Sequence, residues 1–416
     1  MKRVKGIALG TVALISAAVL GAACSGGKSS NGLKIGSILS LTGDYAAVGA
    51  DEVDAINLAF DEINAGGGVL GKNLQLVNRD DGTDATRAPA AAQSLVAAGV
   101  PAVIGGISSS VTLAAAAVTS SAHVVQISAS GTSPSITTFA DGGYLFRTCP
   151  SDALQGRLLA QRAHAHVPDF TNVAVIHTTD AYGQGLADAF AATFTSTSGS
   201  TVKSISYPDA PTTAIVTAVL NSAFAVTPQA IVLISVPSEG VQFITKFLTG
   251  GYPSSTFWYF TDSVEDQQNF VQATITAGGN FTFPHEGSGP STPSTATYVD
   301  FDTRFNAKYG RHPGPGNYDA NAYDAAYLIA MAIEQGGASD GPTIKANLLT
   351  VSTGGAAVAP GNWMSVKAML DAGTDVNYEG AAGNENFDAS GDVIAAYDIW
   401  KVQGSTITTV VSGVNP

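Results

Sequence analysis

The sequence predicts an α/β protein: two doubly wound parallel-sheet domains joined by a hinge. Short apolar runs alternate with longer stretches of helical period, which is the pattern of βαβ units whose sheets are covered on both faces. The alternation stops near residue 150 and restarts at residue 171, so there are two such series. No self-similarity at the period of a solenoid repeat is present.

Taken in order, "LKIGSILSL" from residue 33 reads as a strand, and "AVGADEVDAINLAFDEINA" places Val53, Ile56, Leu58, Ala59 and Ile63 at helical spacing. "KNLQLVNRDD" is a strand and "DATRAPAAAQSLVAAG" a helix with Pro89 in its first turn; "PAVIGGI" and "HVVQISAS" are further strands. The second series runs strand "NVAVIHTT", helix "YGQGLADAFAATFTS", strand "VKSISYP", helix "TTAIVTAVLNSAF", strand "QAIVLISV", helix "SEGVQFITKFLTGG" and strand "TFWYFTD". "EGSGPSTPSTATYVD", starting at Glu286, has the Ser, Thr, Pro and Gly content of a linker. Beyond it "NYDANAYDAAYLIAMAIEQ" is a helix with Ala322, Ala325, Ala326, Ile329, Ala330 and Ile333 on its apolar side. "ENFDASGDVIAAYDIWKVQGSTITTVV" reads as a strand pair turning at "DASGD". The expected domains are 33–150 with 287–375, and 151–286 with 376–416.

The N-terminus sets location. Basic "MKRVKG", apolar "IALGTVALISAAVL" and small "GAAC" form the pattern of a cleaved export signal over residues 1–23. The small residues before Cys24 resemble a bacterial lipobox, which implies lipid attachment at Cys24, a tether over 24–32 and a protein anchored to a membrane facing the periplasm or cell exterior. The formal charge is −14, and loss of Lys2, Arg3 and Lys5 with the signal makes it more negative still. So acidic a surface has no basic field for nucleic acid. With Cys24 lipidated, Cys149 has no partner for a disulfide.

Some signals fail. "GGGVLGKN" ends in Asn73 where a phosphate loop needs a hydroxyl, and it follows a helix rather than a strand. It reads as a helix-terminating glycine turn. "RDDGTDAT" lacks calcium-loop spacing, and Thr83 or Asp84 as a helix cap explains it. The six histidines show no metal-ligand spacing, since the two in "HAH" point apart on a helix. No metal or other cofactor is expected. No G-x-S-x-G elbow is present, which leaves an amide hydrolase with His177 as base as the enzymatic rival.

Ligands of open α/β sheets bind beyond the carboxyl ends of the strands, which directs attention to residues 108–110, 128–132, 180–185, 235–239 and 261–266. In "VIGGISSSVTLAAAAV" a strand runs into Ser108, Ser109 and Ser110 and then a helix. One serine there is a routine cap, whereas three hydroxyls beside orphan N–H groups also suit an anion. The stretch alone leaves both readings open.

The chain resembles the Leu/Ile/Val-binding protein family, the solute receptors of branched-chain amino-acid ABC transporters. The likeness is carried in order by "IGSILSLTGDYAAVGADEVDAINLAFDEINAGGGVLGKNLQLVNRDDGTD", "VIGGISSS", "QISASGTSP", "FRTCPSDALQG", "VIHTTDAYGQGLA", "NAYDAAYLIA" and "NFDASGD". It implies a monomeric receptor that closes its two domains on a small polar ligand, an amino acid, and delivers it to permease subunits. It further implies that Ser109 and Thr132 hold the ligand carboxylate, with Ser110 beside them. The Ser130 carbonyl and Asp262 would hold the ammonium, and Tyr182 would supply an aromatic wall. The family's pocket aromatics fall on Val48 and near Pro237 or Ser238, and its paired cysteines on Thr83 and Ser108, so extra room and no disulfide are expected. Amides, urea or aromatic acids are the alternative ligands, and a sensory rather than a transport role is the alternative output.

Overall fold

Two β-sheets organise the described residues, 32–314 and 318–416, of the computed structural model of this chain. The expected signal, Cys24 and the tether as far as Asn31 lie outside the described residues. Among the described residues no helix is long and apolar enough to cross a membrane.

The first sheet contains β1 (Leu33–Leu39), β2 (Leu74–Asp80), β3 (Ala102–Gly105), β4 (Val125–Ser128) and β5 (Leu145–Arg147), all parallel, in the order β2-β1-β3-β4-β5. Strand β1 is buried everywhere except Lys34, as a central parallel strand covered on both faces must be. Helices Ala46–Ala65 and Asp319–Gly336 build the core on one face, where Ile35, Ile56, Ile104 and Ile329 meet. Helices Ala88–Ala97 and Ser109–Thr119 cover the other face through Ile38, Leu95, Val103 and Val111.

The second sheet repeats the arrangement. Its strands are β6 (Asn172–Thr178), β7 (Thr201–Tyr207), β8 (Ala230–Ile234), β9 (Phe257–Phe260) and β10 (His285–Pro290), which run parallel in the order β10-β9-β8-β6-β7. A small parallel pair follows in the chain, β11 (Ala356–Val358) with β12 (Val376–Tyr378). The antiparallel hairpin β13 (Tyr397–Gln403) and β14 (Thr406–Val414) then extends the second sheet beyond β10, so that sheet is mixed rather than wholly parallel. Both of its faces carry apolar cores, one rich in phenylalanine and tryptophan and one around Leu159, Phe190 and Tyr259.

Several expectations need correction. The first part of the supposed linker "EGSGPSTPSTATYVD" lies in β10, and its end opens helix Ala296–Tyr309. Its small residues are there for packing. A Cβ on Gly287 would fall 2.2 Å from the Trp400 ring, and one on Gly289 2.1 Å from Glu265 Oε2. The final hairpin turns at Gly404 and Ser405, while "DASGD" is a separate tight turn in which the N–H of Asp392 donates to Asp388. Helix Asp319–Gly336 is buried on nearly every side rather than along one stripe, because it lies between the first sheet and helices Ala46–Ala65 and Gly341–Ser352. The helix expected from Asp84 starts at Ala88, and Asp84 instead accepts the N–H of Thr86 in the preceding turn. "GGGVLGKN" forms the expected turn, with Gly66 ending the first helix.

Candidate functional site

Strand order reverses at β1/β3 in the first sheet and at β6/β8 in the second, and at such points loops diverge and leave a crevice. The carboxyl ends of the two sheets face one another there around a cavity of about 50 Å³, room for a few water molecules. Around it the two halves touch directly. The N–H of Ala181 donates to Ser110 Oγ at 3.0 Å, Ser133 Oγ donates to the Ala181 carbonyl at 2.8 Å, and Ser238 Oγ donates to Asp44 Oδ1 at 3.4 Å.

From the first sheet come mainly neutral donors, with Asp44 beside them on the lining. Ser108 caps helix Ser109–Thr119, its hydroxyl accepting the N–H of Val111 at 3.3 Å. The N–H groups that open this helix lack intrahelical acceptors and sit at its positive end. Ser109 Oγ accepts the N–H of Ser133 at 3.1 Å, which leaves its own proton free to donate. Thr132 follows β4 in a loop held from behind. Buried Arg147 donates to the carbonyls of Thr132 at 2.8 Å and Ser133 at 3.0 Å, and pairs with Asp392 at 2.8 Å. Ser130 donates to Glu52 Oε1 at 2.7 Å; burial pushes the Glu52 carboxyl up to about 8 although that bond pulls the other way.

The second sheet supplies acids and phenols. Asp180 caps helix Ala181–Phe194 by accepting the N–H of Gly183 at 2.9 Å, and this turn directs Tyr182 inward. Gly183 is required there, since a Cβ would fall 2.2 Å from Thr178 Oγ1. The Tyr182 hydroxyl donates to Asp262 Oδ1 at 3.0 Å and lies 2.9 Å from both Thr261 Oγ1 and Ser263 Oγ. Tyr318 donates to Asp262 Oδ2 at 2.7 Å. Burial raises Asp262 above the usual carboxylate range, and the Tyr318 and Tyr182 hydrogen bonds oppose the rise. Burial and the neighbouring Asp262 charge drive Asp152 well upward too, and both of its oxygens are buried without a hydrogen-bond partner.

Of the residues singled out in the sequence, Ser109, Ser130, Thr132, Tyr182, Asp262 and Val48 line one cavity. Ser110 and Ser238 bridge the two halves beside it, with Pro237 rather than Ser238 on the lining. Cys24 lies outside the described residues. Cys149 is buried, its thiol donating to the Gly131 carbonyl at 3.3 Å. His177 is bonded to the Thr178 carbonyl and to Ser204, so the hydrolase reading finds it engaged away from Ser109 and Ser110. The room expected from loss of the family aromatics meets Tyr45, which lines the cavity one helical turn before Val48. Tyr45 and Tyr318 line the cavity without having been singled out, and Glu265, within the candidate stretch 261–266, lines it without having been given a role. Spacing could have indicated Tyr45, three residues before Val48 on one helix face. Tyr318 reaches the cavity only through tertiary folding.

Residues 32–403 match a family model described as periplasmic binding protein. The chemotactic signal transduction system substrate-binding protein BasB of Halobacterium salinarum is 26% identical over 383 residues, covering 90% of this chain and 88% of that protein. The Leu/Ile/Val-binding protein BraC3 of Rhizobium johnstonii is 34% identical over 161 residues, 39% of this chain and 43% of that one. Among solved structures, the leucine-binding protein LivK of Thermotoga maritima superposes with a TM-score of 0.77 at 23% identity, covering 92% of this chain and 99% of that one.

Proposed function

The chain belongs to the periplasmic binding protein family, and on that premise we propose that it is an extracytoplasmic receptor that captures an amino acid between its two sheets and presents it to the permease of an ABC importer. The observation that carries the reading is the opposition across one cavity of Ser109 and Thr132 hydroxyls on one side and the Asp262 carboxylate on the other. A zwitterion needs donors at its carboxylate and acceptors at its ammonium. An enclosed site strengthens both by excluding water. The ligand carboxylate is placed against Ser109, Thr132 and the helix N-terminus, with Ser110 bridging to the opposing half. The ammonium is placed between the Ser130 carbonyl and Asp262, with Tyr182 orienting the latter. A ligand touching both halves favours the arrangement in which they are closed, because it binds that state better than an open one.

A lipid at Cys24 would hold the receptor at the membrane surface beside its permease, and a monomer suffices for this task. The relative named for chemotactic signal transduction, alignable over most of both chains, supports a second output, in which the closed form is read by a receptor rather than a permease. Uptake of labelled ligand in cells lacking the protein separates the two. The test of the binding reading is a thermal-unfolding screen of the purified protein against amino acids, the same acids without their amino group, small amides and aromatic acids. A ligand at a hundred times its Kd adds about 2.7 kcal/mol. Amino acids should raise the midpoint and their deaminated counterparts should not. A response to amides or aromatic acids alone would overturn the zwitterion reading.

A further inference from the structure

The cavity is more acidic than one ammonium group explains. Besides Asp262 it is lined by Asp44, Glu265 and Asp266, and among its described lining residues there is neither a lysine nor an arginine. Glu265 differs from the others. It caps the short turn Asp262–Val264, its N–H donating to the Asp262 carbonyl at 2.9 Å. Glu265 is only 8% exposed, yet among the described residues its carboxylate takes part in no hydrogen bond or ion pair, whereas Asp262 accepts from both Tyr182 and Tyr318. Strand β10 makes room for it, since its Oε2 occupies the place where any side chain at Gly289 would begin. Burial favours the protonated form of this carboxyl, and a cation arriving beside it would favour the charged form.

An amino acid brings one ammonium, and in the reading above that group satisfies Asp262. Resting on that reading, we propose that the ligand is a cationic amino acid, whose side-chain ammonium or guanidinium is held by Glu265 three residues beyond Asp262. With two positive groups and one carboxylate, such a ligand matches two acids on the second-sheet side and the hydroxyl cup on the first. Tyr318 is shared by the small cavity and a neighbouring one of about 440 Å³, whose lining includes Asp319, Glu385 and Asp398 and, among the described residues, again no lysine or arginine. Asp319 Oδ1 and Glu385 Oε2 are both buried without a partner.

The experiment is calorimetric titration of the purified protein and its Glu265→Gln variant with lysine, ornithine, arginine, leucine, isoleucine and valine. The expected result is that at least one cationic amino acid binds the wild type about tenfold or more tighter than the branched-chain set, a difference of about 1.4 kcal/mol. Glu265→Gln should abolish that preference while neutral amino acids keep their affinity within about threefold. Should Glu265→Gln not fold, Glu265→Asp, which keeps the charge, should retain a cationic preference. Equal or tighter binding of leucine, isoleucine or valine by the wild type, or an equal loss for both classes in Glu265→Gln, overturns the proposal and leaves the amino-acid reading standing. Binding of amides or aromatic acids with no amino acid bound overturns both.

Discussion

The two sheets share one strand order through their first five strands, β2-β1-β3-β4-β5 and β7-β6-β8-β9-β10, yet their facing ends carry opposite chemistry. The first sheet ends in Ser108, Ser109, Ser130 and Thr132, neutral hydroxyls beside a helix N-terminus, with Asp44 as the acid it brings to the lining; the second ends in Tyr182, Asp262, Glu265 and Asp266. The same framework has become a donor half and an acceptor half. The framework itself is built from apolar strands buried on both faces, and these specify nothing about charge. A handful of loop residues beyond the strand ends decides it, and each half alone would offer a ligand only half of a dipolar site. The division extends to supporting residues. Arg147, behind the donor loop, has its charge met by Asp392, whereas Asp152, near Asp262, faces no hydrogen-bonding partner.

The largest expected effect comes from removing the donor half. Ser109→Ala with Thr132→Ala should cost about 2–4 kcal/mol of amino-acid binding, through loss of charge-assisted hydrogen bonds to a buried carboxylate. Wild-type affinity in titration of that double variant would show that the cup is no carboxylate site. Replacing the acceptor sharpens the division. Asp262→Asn should cost about 2 kcal/mol for an amino acid and little for the same acid lacking its amino group. Equal losses for the two ligands would mean that Asp262 acts on the fold and not on the ammonium.

The smallest effect on binding is expected at Glu52, behind Ser130. Glu52→Gln keeps an acceptor for the Ser130 hydroxyl, so affinity should change by less than about 1 kcal/mol. Stability is a different matter. With its folded value at about 8 and the ordinary value at 4.5, the folded protein holds a proton that the unfolded chain has released. This contribution is therefore fully present below the ordinary value and is lost as pH rises to about 8. Midpoints of thermal unfolding measured across that range should fall less steeply in Glu52→Gln than in the wild type. Parallel curves would place the titrating group elsewhere.

Much of this was legible in the amino-acid order. Strands such as "AVIGG" and "AIVLI" are buried on both faces, which writes them as unbroken apolar runs between helical stretches, and the residues after them become candidates by position alone. Position brings Ser109, Ser130, Thr132, Tyr182 and Asp262 only within the candidate stretches; the resemblance to the Leu/Ile/Val-binding family is what picks them out one by one. The strand His285–Pro290 was not legible, because Gly287 and Gly289 are small to admit Trp400 and Glu265 from elsewhere in the chain, and a glycine-rich strand reads as a linker. Nor did sequence separate Glu265 from any surface acid three residues after another. Local order records periodicity and burial, which act over neighbouring residues. Only tertiary folding decided that Tyr45 and Tyr318 would wall one cavity and that the Glu265 carboxyl would be sheltered there against Gly289, because those contacts join segments that are not neighbours in the chain.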